Sequence, residues 1–317
     1  MDWHQLWVIV SAPDNVPIVA MLFLVPFFAW LGFRQALAND RLVVELEADP
    51  KLAKTHHRKT WPWKPHWARE LHVWPYLLRI EFLATLIVTV VLFVWSITLN
   101  APLEEPANPN LTMNPSKAPW YFLGLQEMLV YFDPWIAGVV MPSIMIVGLM
   151  AFPYLDSNPL GVGYYTWRQR RVAIGSFLIG FVTWIVLIFI GTFIRGPGWV
   201  WFWPGQTWDH NFVPFEVNQD LPDIVARWGL RFIGFQPWKG LFGAAMVGLF
   251  FVVAGYLTHK LVTRTEFEKK IFQRTSLLQY SVFQFFAITI LWAMPVKLLL
   301  RLLFRIKYVL VTPWFNI

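Results

Sequence analysis

The chain of 317 residues is 57% hydrophobic and only 14% charged, which is too apolar for a soluble globular domain. It contains no cysteine, and this excludes disulfides, cysteine-ligated iron–sulfur clusters and the covalent attachment of c-type haem. The formal net charge is +7, and the basic residues cluster beside apolar runs, a pattern that indicates membrane topology. This distribution gives no reason to expect nucleic-acid binding.

Six predominantly apolar runs are each about 20 residues long, which is enough to cross a bilayer as a helix. The runs are Val16–Leu37, Tyr76–Leu99, Trp135–Leu155, Val172–Ile194, Leu241–Val262 and Leu277–Val296. Tryptophan and tyrosine gather at their flanks, as in the aromatic belts of membrane proteins. The first run lacks the basic segment and cleavage site of a signal peptide, so we interpret it as a retained anchor. We therefore predict an all-α integral membrane protein with about six transmembrane helices, a long outer proline-rich loop and interfacial helices.

Basic residues mark the loops that we expect on the cytoplasmic side. They cluster within Arg34–Arg79, Arg168–Arg171 and Lys260–Arg274, whereas Asn100–Pro134 has a single basic residue, Lys117. The positive-inside rule places the first three segments in the cytoplasm and the fourth outside. Both termini then lie on the outer side.

One basic cluster disagrees with this topology. Lys297, Arg301, Arg305 and Lys307 would lie on the outer side, where they alternate with leucines. Their spacing indicates either an amphipathic helix lying in the membrane interface or a re-entrant sixth span.

The chain divides by composition into three blocks. Residues 1–70 form an anchor helix and a basic cytoplasmic connector. Residues 71–200 hold three spans and the proline-rich outer loop. Residues 201–317 hold an outer aromatic loop, two further spans and a basic amphipathic tail.

The segment Asn114–Glu127 is the strongest candidate for the wall of a site. It is polar, punctuated by prolines and rich in aromatic residues, and it lies between two apolar runs. Irregular backbone at membrane level is tolerated only where it is buried in protein or lines a cavity.

The motif in this segment, and the order of the elements around it, resemble a known family. A span ends at Leu99, a proline-rich loop and the motif follow, and two more spans close the region. Over residues 71–200 this is similar to the C-terminal part of cytochrome b, the separate subunit IV of split cytochrome bc-type complexes. The family's hallmark is Pro-Glu-Trp-Tyr, whose glutamate contacts the quinol. Here the motif reads Ala118-Pro119-Trp120-Tyr121, so the glutamate is replaced by proline.

The resemblance implies a haem-free subunit of a bacterial quinol:cytochrome c oxidoreductase, not catalytic alone, in the inner (plasma) membrane. The subunit would form part of the outer quinol-oxidation site, where electron transfer is coupled to proton release across the membrane. The quinol, menaquinol or ubiquinol, would contact Pro119, Trp120, Tyr121, Phe122 and Leu125. The implied partners are a cytochrome b that holds the b haems, a Rieske-type iron–sulfur protein, a c-type cytochrome and lipids, in a dimeric complex. As alternatives, Tyr121 anchors at the interface, and Trp120 and Phe122 are packing residues.

Glu127 is our candidate for the missing proton acceptor. Quinol oxidation releases protons, so the site needs a base within hydrogen-bond reach. On a helix, Glu127 lies under two turns beyond Tyr121, and an acid at membrane depth marks a functional site by default. We predict that Glu127 and Tyr121 act in catalysis, the alternative being that Glu127 faces outer water. Asp133, followed by Pro134, predicts the N-cap of the third span.

The histidines argue against a haem held by this chain. The seven are His4, His56, His57, His66, His72, His210 and His259. None lies in the middle of a predicted span, and none has the spacing and carboxylate neighbours of a zinc site, so we predict no metal. We expect the chain purified alone to bind no haem, because it cannot supply two facing histidines. Visible absorption checks this, and a Soret band stoichiometric with the chain would contradict it.

Further candidates lie toward the cytoplasmic side. Arg79 and Glu81, at the start of the second span, either pair with one another or with headgroups, or take part in proton uptake at a quinone-reducing site. The triplet Arg168, Arg170 and Arg171 predicts the binding of anionic headgroups.

The outer loop Arg195–Pro204 is dense in tryptophan, and its glycines and prolines favour turns. It either covers the quinol cavity, docks an outer redox subunit or forms an interfacial lid without chemistry.

Two other functional classes stay open. The replaced glutamate favours a non-catalytic membrane-anchoring subunit of another respiratory or photosynthetic electron-transfer complex, which a quinone bound beside Tyr121 would reject. A transporter would show broken helices with polar residues at the midplane of paired spans, and the sequence shows neither these nor an inverted repeat.

Overall fold

A computed structural model describes most of the chain. The described residues are 3–55, 72–101, 103, 106–156, 158, 165–212, 218–232, 238–313 and 316–317. The predicted basic connector lies largely outside them, with His56, His57 and His66. Glu104 and Glu105 of the proline-rich loop also lie outside the described residues.

Six helices in the described ranges are long and apolar enough to span a membrane, which confirms the prediction of a multi-pass all-α membrane protein. The first to sixth spans are Val16–Ala48, Val73–Thr98, Ile136–Leu155, Arg171–Ile194, Lys239–Val262 and Leu277–Phe304. Shorter helices cover Trp3–Ser11, Pro50–Thr55, Trp120–Tyr131, Leu221–Phe232 and Glu266–Phe272. We call Trp120–Tyr131 the motif helix, since it begins inside the Pro-Trp-Tyr motif.

Turns of π-helix occur in four of the spans: one, Val73–Leu77, opens the second span, and the other three lie in later spans. These three lie at Ile136–Val140 in the third span, Ile190–Ile194 in the fourth and Ile288–Trp292 in the sixth. A π turn places one more residue in a turn than an α turn does, and it often marks a functional position. The turn in the fourth span ends directly before Arg195.

The helix that leads into the third span begins as predicted. The Asp133 carboxylate accepts a hydrogen bond from the backbone N–H of Trp135 at 3.1 Å, and Pro134 occupies the first helical position. This confirms Asp133 as the N-cap. Such a cap stabilises a helix by about 1 kcal/mol.

The sixth span is longer than predicted. It runs to Phe304 instead of ending at Val296, and Arg305 ends it in the left-handed conformation with φ of 56°. The reason is local, because the leucine-rich sequence after Val296 favours helix and holds no glycine or proline that would stop it. The predicted basic amphipathic segment is therefore in part the last turns of a continuous span.

Lys297, which this extension includes, is buried. Its Nζ lies 5.4 Å from the ring centroid of Phe132 and 5.4 Å from that of Tyr308. Two ring faces thus surround the amine, an arrangement that attracts a cation.

The chain forms two compact units. The first comprises Met1–Ile9, Asn108–Gly161 and Trp167–Ile317, and the second comprises Val10–Ala107 and Val162–Thr166. The first unit holds the motif helix and the third to sixth spans. Its main buried cluster consists of Met128, Tyr131, Phe132, Ile136, Ala137, Met141, Leu187 and Met294.

The second span, which belongs to the second unit, is exposed along its length. Every residue of Leu78–Thr98 is exposed, so no described residue of the second unit covers this surface. Arg79 and Glu81 lie at its start, and in the described part of the chain they do not form an ion pair with each other.

Candidate functional site

The motif helix has a buried face and an exposed face. Leu123, Gly124, Glu127, Met128 and Tyr131 are buried. These positions recur every three or four residues, so they form one side of the helix. That side packs on the fourth span and its π turn.

Two glycines allow this close packing. A Cβ atom at Gly124 would lie 3.0 Å from the indole of Trp184, and one at Gly191 would lie 3.4 Å from Leu123. A side chain at Gly124 would therefore push the motif helix away from the fourth span.

The entry to the motif helix is held by side-chain hydrogen bonds. Gln126 Nε2 donates to the carbonyl oxygen of Ser116 at 2.9 Å, while its Oε1 accepts from the backbone N–H of Ala118 at 2.9 Å. Lys117 Nζ donates to the carbonyl oxygen of Thr192 at 2.7 Å. These contacts fix Pro119 and Trp120 where the helix begins.

Glu127 lies at the centre of a buried polar cluster. Its side chain has no exposed surface, and that of Arg195 is 7% exposed. Arg195 donates from Nε to Oε2 at 3.0 Å and from Nη2 to Oε1 at 2.6 Å, which is a bidentate ion pair. The hydroxyl of Tyr131 donates to Oε1 at 2.8 Å.

The burial of this cluster and the charge of Glu127 determine the protonation of Tyr131 and Arg195. Burial raises the pKa of Tyr131, and the charge of Glu127 raises it further, so the phenol keeps its proton and acts as a donor. Burial alone would lower the pKa of Arg195, but the hydrogen bonds and charge of Glu127 raise it overall. Arg195 is therefore a cation that needs the carboxylate beside it.

The π turn directs Arg195 at Glu127. The backbone N–H of Arg195 donates to the carbonyl oxygen of Ile190, five residues earlier, at 3.1 Å. Its Nη1 donates to the carbonyl oxygen of Trp199 at 3.1 Å, and its guanidinium lies 5.4 Å from the ring centroid of Trp201. The backbone of Arg195 is therefore hydrogen-bonded within the fourth span, and its side chain contacts both the outer loop and the motif helix.

The outer loop folds back as a tight turn. Phe202 N–H donates to the Ile194 carbonyl at 2.8 Å, and Gly196 N–H donates to the Val200 carbonyl at 3.0 Å. Gly198 has φ of 63°, a conformation that glycine adopts without strain. The predicted aromatic loop therefore positions Arg195, a role that the sequence alone did not indicate.

The exposed face of the motif helix carries the aromatic residues of the motif. Tyr121 is 49% exposed and Phe122 is 55% exposed. Their ring centroids lie 4.8 Å apart, and the ring of Trp120 lies 5.6 Å from that of Tyr121. At 3.6 residues per turn, Tyr121 and Glu127 point about 120° apart.

The structure thus separates the predicted site residues into two groups. Tyr121 and Phe122 form an open aromatic surface with the partly buried Trp120 and Leu125, and Glu127 lies on the buried face behind it. Direct contact between Glu127 and a quinol requires its pair with Arg195 to open. The role of Glu127 as proton acceptor stays a prediction.

Comparison with known proteins bears on this surface, since the motif, Glu127 and Arg195 all fall in one matched segment. Residues 106–205 match the cytochrome b(C-terminal)/b6/petD family. The match confirms the resemblance inferred from the motif, although it covers only about a third of the chain. No curated protein and no solved structure matches the chain.

The matched segment, residues 106–205, begins after the second span and ends within the loop that follows the fourth span. It contains Glu127, Tyr131 and Arg195, so the buried cluster is internal to it. The predicted region 71–200 reaches further toward the N-terminus than the match. Because members of this family are parts of cytochrome bc-type oxidoreductase complexes, the match supports a subunit of such a complex.

The arginines predicted to face the cytoplasm lie together at the other end of the bundle from Glu127. Arg170 forms an ion pair with Asp156, and Arg171 Nε donates to Glu268 at 3.0 Å. With Arg168 they line one end of a long cavity.

Sequence reasoning missed the roles of three residues of the matched segment. Gln126 was not singled out, and Tyr131 was not paired with Glu127 although it follows four residues later on the same helix face. Arg195 carried a signal of its own, because it is a lone cation at the end of an apolar run. Within the described ranges, no cluster of three or more histidine, aspartate or glutamate side chains is arranged to hold a metal.

Proposed function

We propose that this chain is a haem-free subunit of a bacterial quinol:cytochrome c oxidoreductase and contributes a wall of its outer quinol-oxidation site. One observation carries the proposal. A helix that begins at the Trp120-Tyr121 pair exposes Tyr121 and Phe122 while its opposite face is fixed by the buried Glu127–Arg195 pair. An exposed aromatic surface on a rigid support is what a flat, largely apolar quinol ring requires.

In this proposal the residues at the motif helix have different roles. The hydroxyl of Tyr121 donates to or accepts from a quinol oxygen, and Pro119, Trp120, Phe122 and Leu125 shape the apolar wall. Glu127 receives a proton when its pair with Arg195 opens, and the proton leaves on the outer side. Proton transfer through a positioned side chain typically contributes about 10²–10⁴ in rate.

The partners follow from the same proposal. A cytochrome b subunit holds the b haems, a Rieske-type protein takes the first electron and a c-type cytochrome takes it onward, in a dimeric complex of the inner membrane. Residues Leu78–Thr98 of the second span, all exposed, offer a surface that such a membrane partner, or lipid, would cover.

Tyr121→Phe tests the proposal directly. The ring stays in place but cannot hydrogen-bond a quinol, so we expect the KM for quinol to rise by about three- to tenfold, as the loss of one hydrogen bond of about 1 kcal/mol implies. Steady-state quinol oxidation by the purified complex measures it. The matched control is Tyr154→Phe, which removes a hydroxyl that is also exposed but lies at the far end of the third span.

A second candidate is the non-catalytic anchoring subunit, which the proline at position 119 favours. It predicts that Tyr121→Phe and Tyr154→Phe both oxidise quinol like the unchanged complex. That result would contradict the proposed quinol site.

A further inference from the structure

The end of the sixth span carries the basic cluster that disagrees with the positive-inside rule, and one member of that cluster is buried. Lys297 is only 4% exposed. In the part of the chain that the structure describes, its Nζ has no hydrogen-bond partner and forms no ion pair. An ammonium group has three N–H donors, and burying it without an acceptor is strongly unfavourable. Lys297 therefore requires an acceptor that the described side chains do not supply.

The aromatic rings beside Lys297 meet this requirement only in part. Its Nζ lies 5.4 Å from the ring centroids of both Phe132 and Tyr308. A ring face attracts a cation, but it does not replace the hydrogen bonds that an ammonium group makes in water. The donors of Lys297 remain available to a ligand.

A second amine lies against one of the same rings. Lys307 is exposed, and its Nζ lies 5.0 Å from the ring centroid of Tyr308, so two ammonium groups share this ring. Of the charged side chains that act on Lys297, Asp220 attracts it and Arg301 repels it. Asp220 does not reach Lys297 to form an ion pair. Like charges that are held this close repel one another, and an anion beside them lowers the electrostatic energy.

We propose that Lys297 is the inner donor of a binding site for a small inorganic anion such as chloride. The anion accepts hydrogen bonds from the Lys297 ammonium group and lies beside the edge of the Tyr308 ring, which carries partial positive charge. Lys307 attracts the anion from the surface. Since Lys297 is almost fully buried, the ligand must be small, and a chloride ion is similar in size to the single water molecules that proteins enclose. Anion binding here is independent of quinol oxidation.

The site joins two parts of the chain. Phe132 directly follows the motif helix and lies in the matched segment, whereas Lys297 and Tyr308 lie beyond that segment. A bound anion would therefore hold the sixth span and the residues after it against the end of the motif helix. Its removal should lower the thermal stability of the subunit.

Thermal unfolding of the purified complex tests this site. The complex is prepared in potassium gluconate, chloride then replaces gluconate at constant ionic strength, and tryptophan fluorescence gives the unfolding midpoint. A ligand that binds only the folded state stabilises it by mass action. At a tenfold excess over the half-saturating concentration, we expect the midpoint to rise by about 2–4 °C. Bromide should act like chloride, and sulfate, which is larger, should not.

Three lysine variants locate the effect. Lys297→Met keeps the length of the side chain but removes the amine, so the response to chloride should disappear. Lys307→Met removes only a surface charge, so the half-saturating concentration should rise by about two- to fivefold. Lys260→Met is the matched control, because Lys260 is an exposed lysine near the end of the fifth span, and it should respond to chloride like the unchanged complex.

Four results would overturn the proposal. Equal midpoints of the unchanged complex in chloride and gluconate would show that no such anion binds, whether or not the variants assemble. A chloride response that persists in Lys297→Met would place the anion elsewhere. An unchanged half-saturating concentration in Lys307→Met would contradict a site shared by the two amines. An equal rise in sulfate would show screening at the surface instead of a small buried site.

Discussion

Replacing Arg195 by methionine should destabilise the subunit by about 3–5 kcal/mol, because it leaves the buried Glu127 carboxylate without its cation. Glu127 has no exposed surface, so water cannot substitute for the lost partner. The measurement is equilibrium denaturation of the purified complex in mixed micelles, followed by tryptophan fluorescence. The amount of the subunit retained in membranes should fall in parallel.

Two further variants show that the charge imbalance is the cause. The triple change Arg195→Met, Glu127→Leu and Tyr131→Phe removes the whole polar cluster and should recover most of the lost stability, since apolar replacement of a buried pair is often neutral. Asp223→Asn breaks an ion pair whose two side chains are about half exposed, and it should cost only about 0–1 kcal/mol. If Arg195→Met is no more harmful than Asp223→Asn, the pair does not hold the motif helix.

Glu127→Gln should slow quinol oxidation by at least about tenfold, given the usual contribution of a positioned base. Glutamine keeps the size of the side chain and can still accept a hydrogen bond from Tyr131, but it cannot receive a proton. The rise in rate with pH should also flatten. The measurement is steady-state oxidation of quinol by the assembled complex between pH 6 and 8.

The ion pair complicates this result, because Glu127→Gln also leaves Arg195 uncompensated. The double variant Glu127→Gln, Arg195→Gln removes both charges and allows the two amides to hydrogen-bond. A double variant that assembles normally but stays slow supports Glu127 as the proton acceptor. Recovery of the rate in the double variant would assign Glu127 to positioning the motif helix and would contradict the predicted base.

The membrane architecture could be predicted from the sequence because it depends on local patterns. An apolar run of about 20 residues defines a span wherever it occurs, and Asp133 with Pro134 defines a helix start within two residues. The prediction ends the sixth span too early, because a lysine in the position of Lys297 is typical of the membrane interface. In the structure two aromatic rings accommodate its amine inside the protein.

The buried cluster could not be predicted in the same way. Glu127 and Arg195 are 68 residues apart in sequence. No local sequence pattern indicates which acid will form an ion pair with which base. The motif drew attention to the correct helix but not to the division of its faces, which depends on how the fourth span packs against it. Exposure of Tyr121 and burial of Glu127 are consequences of that packing.

The π turn before Arg195 makes the effect of shortening the fourth span depend on where a residue is removed. Removing one residue from Ile190–Ile194 would let the turn close as ordinary α-helix, with the N–H of Arg195 four residues after its acceptor instead of five, so Arg195 would keep nearly the same direction toward Glu127. The same deletion earlier in the span, within Arg171–Phe189, would instead rotate the residues between it and the π turn by about 100°. Those residues would then lose their packing on the motif helix, although every member of the buried cluster would still be present in the sequence.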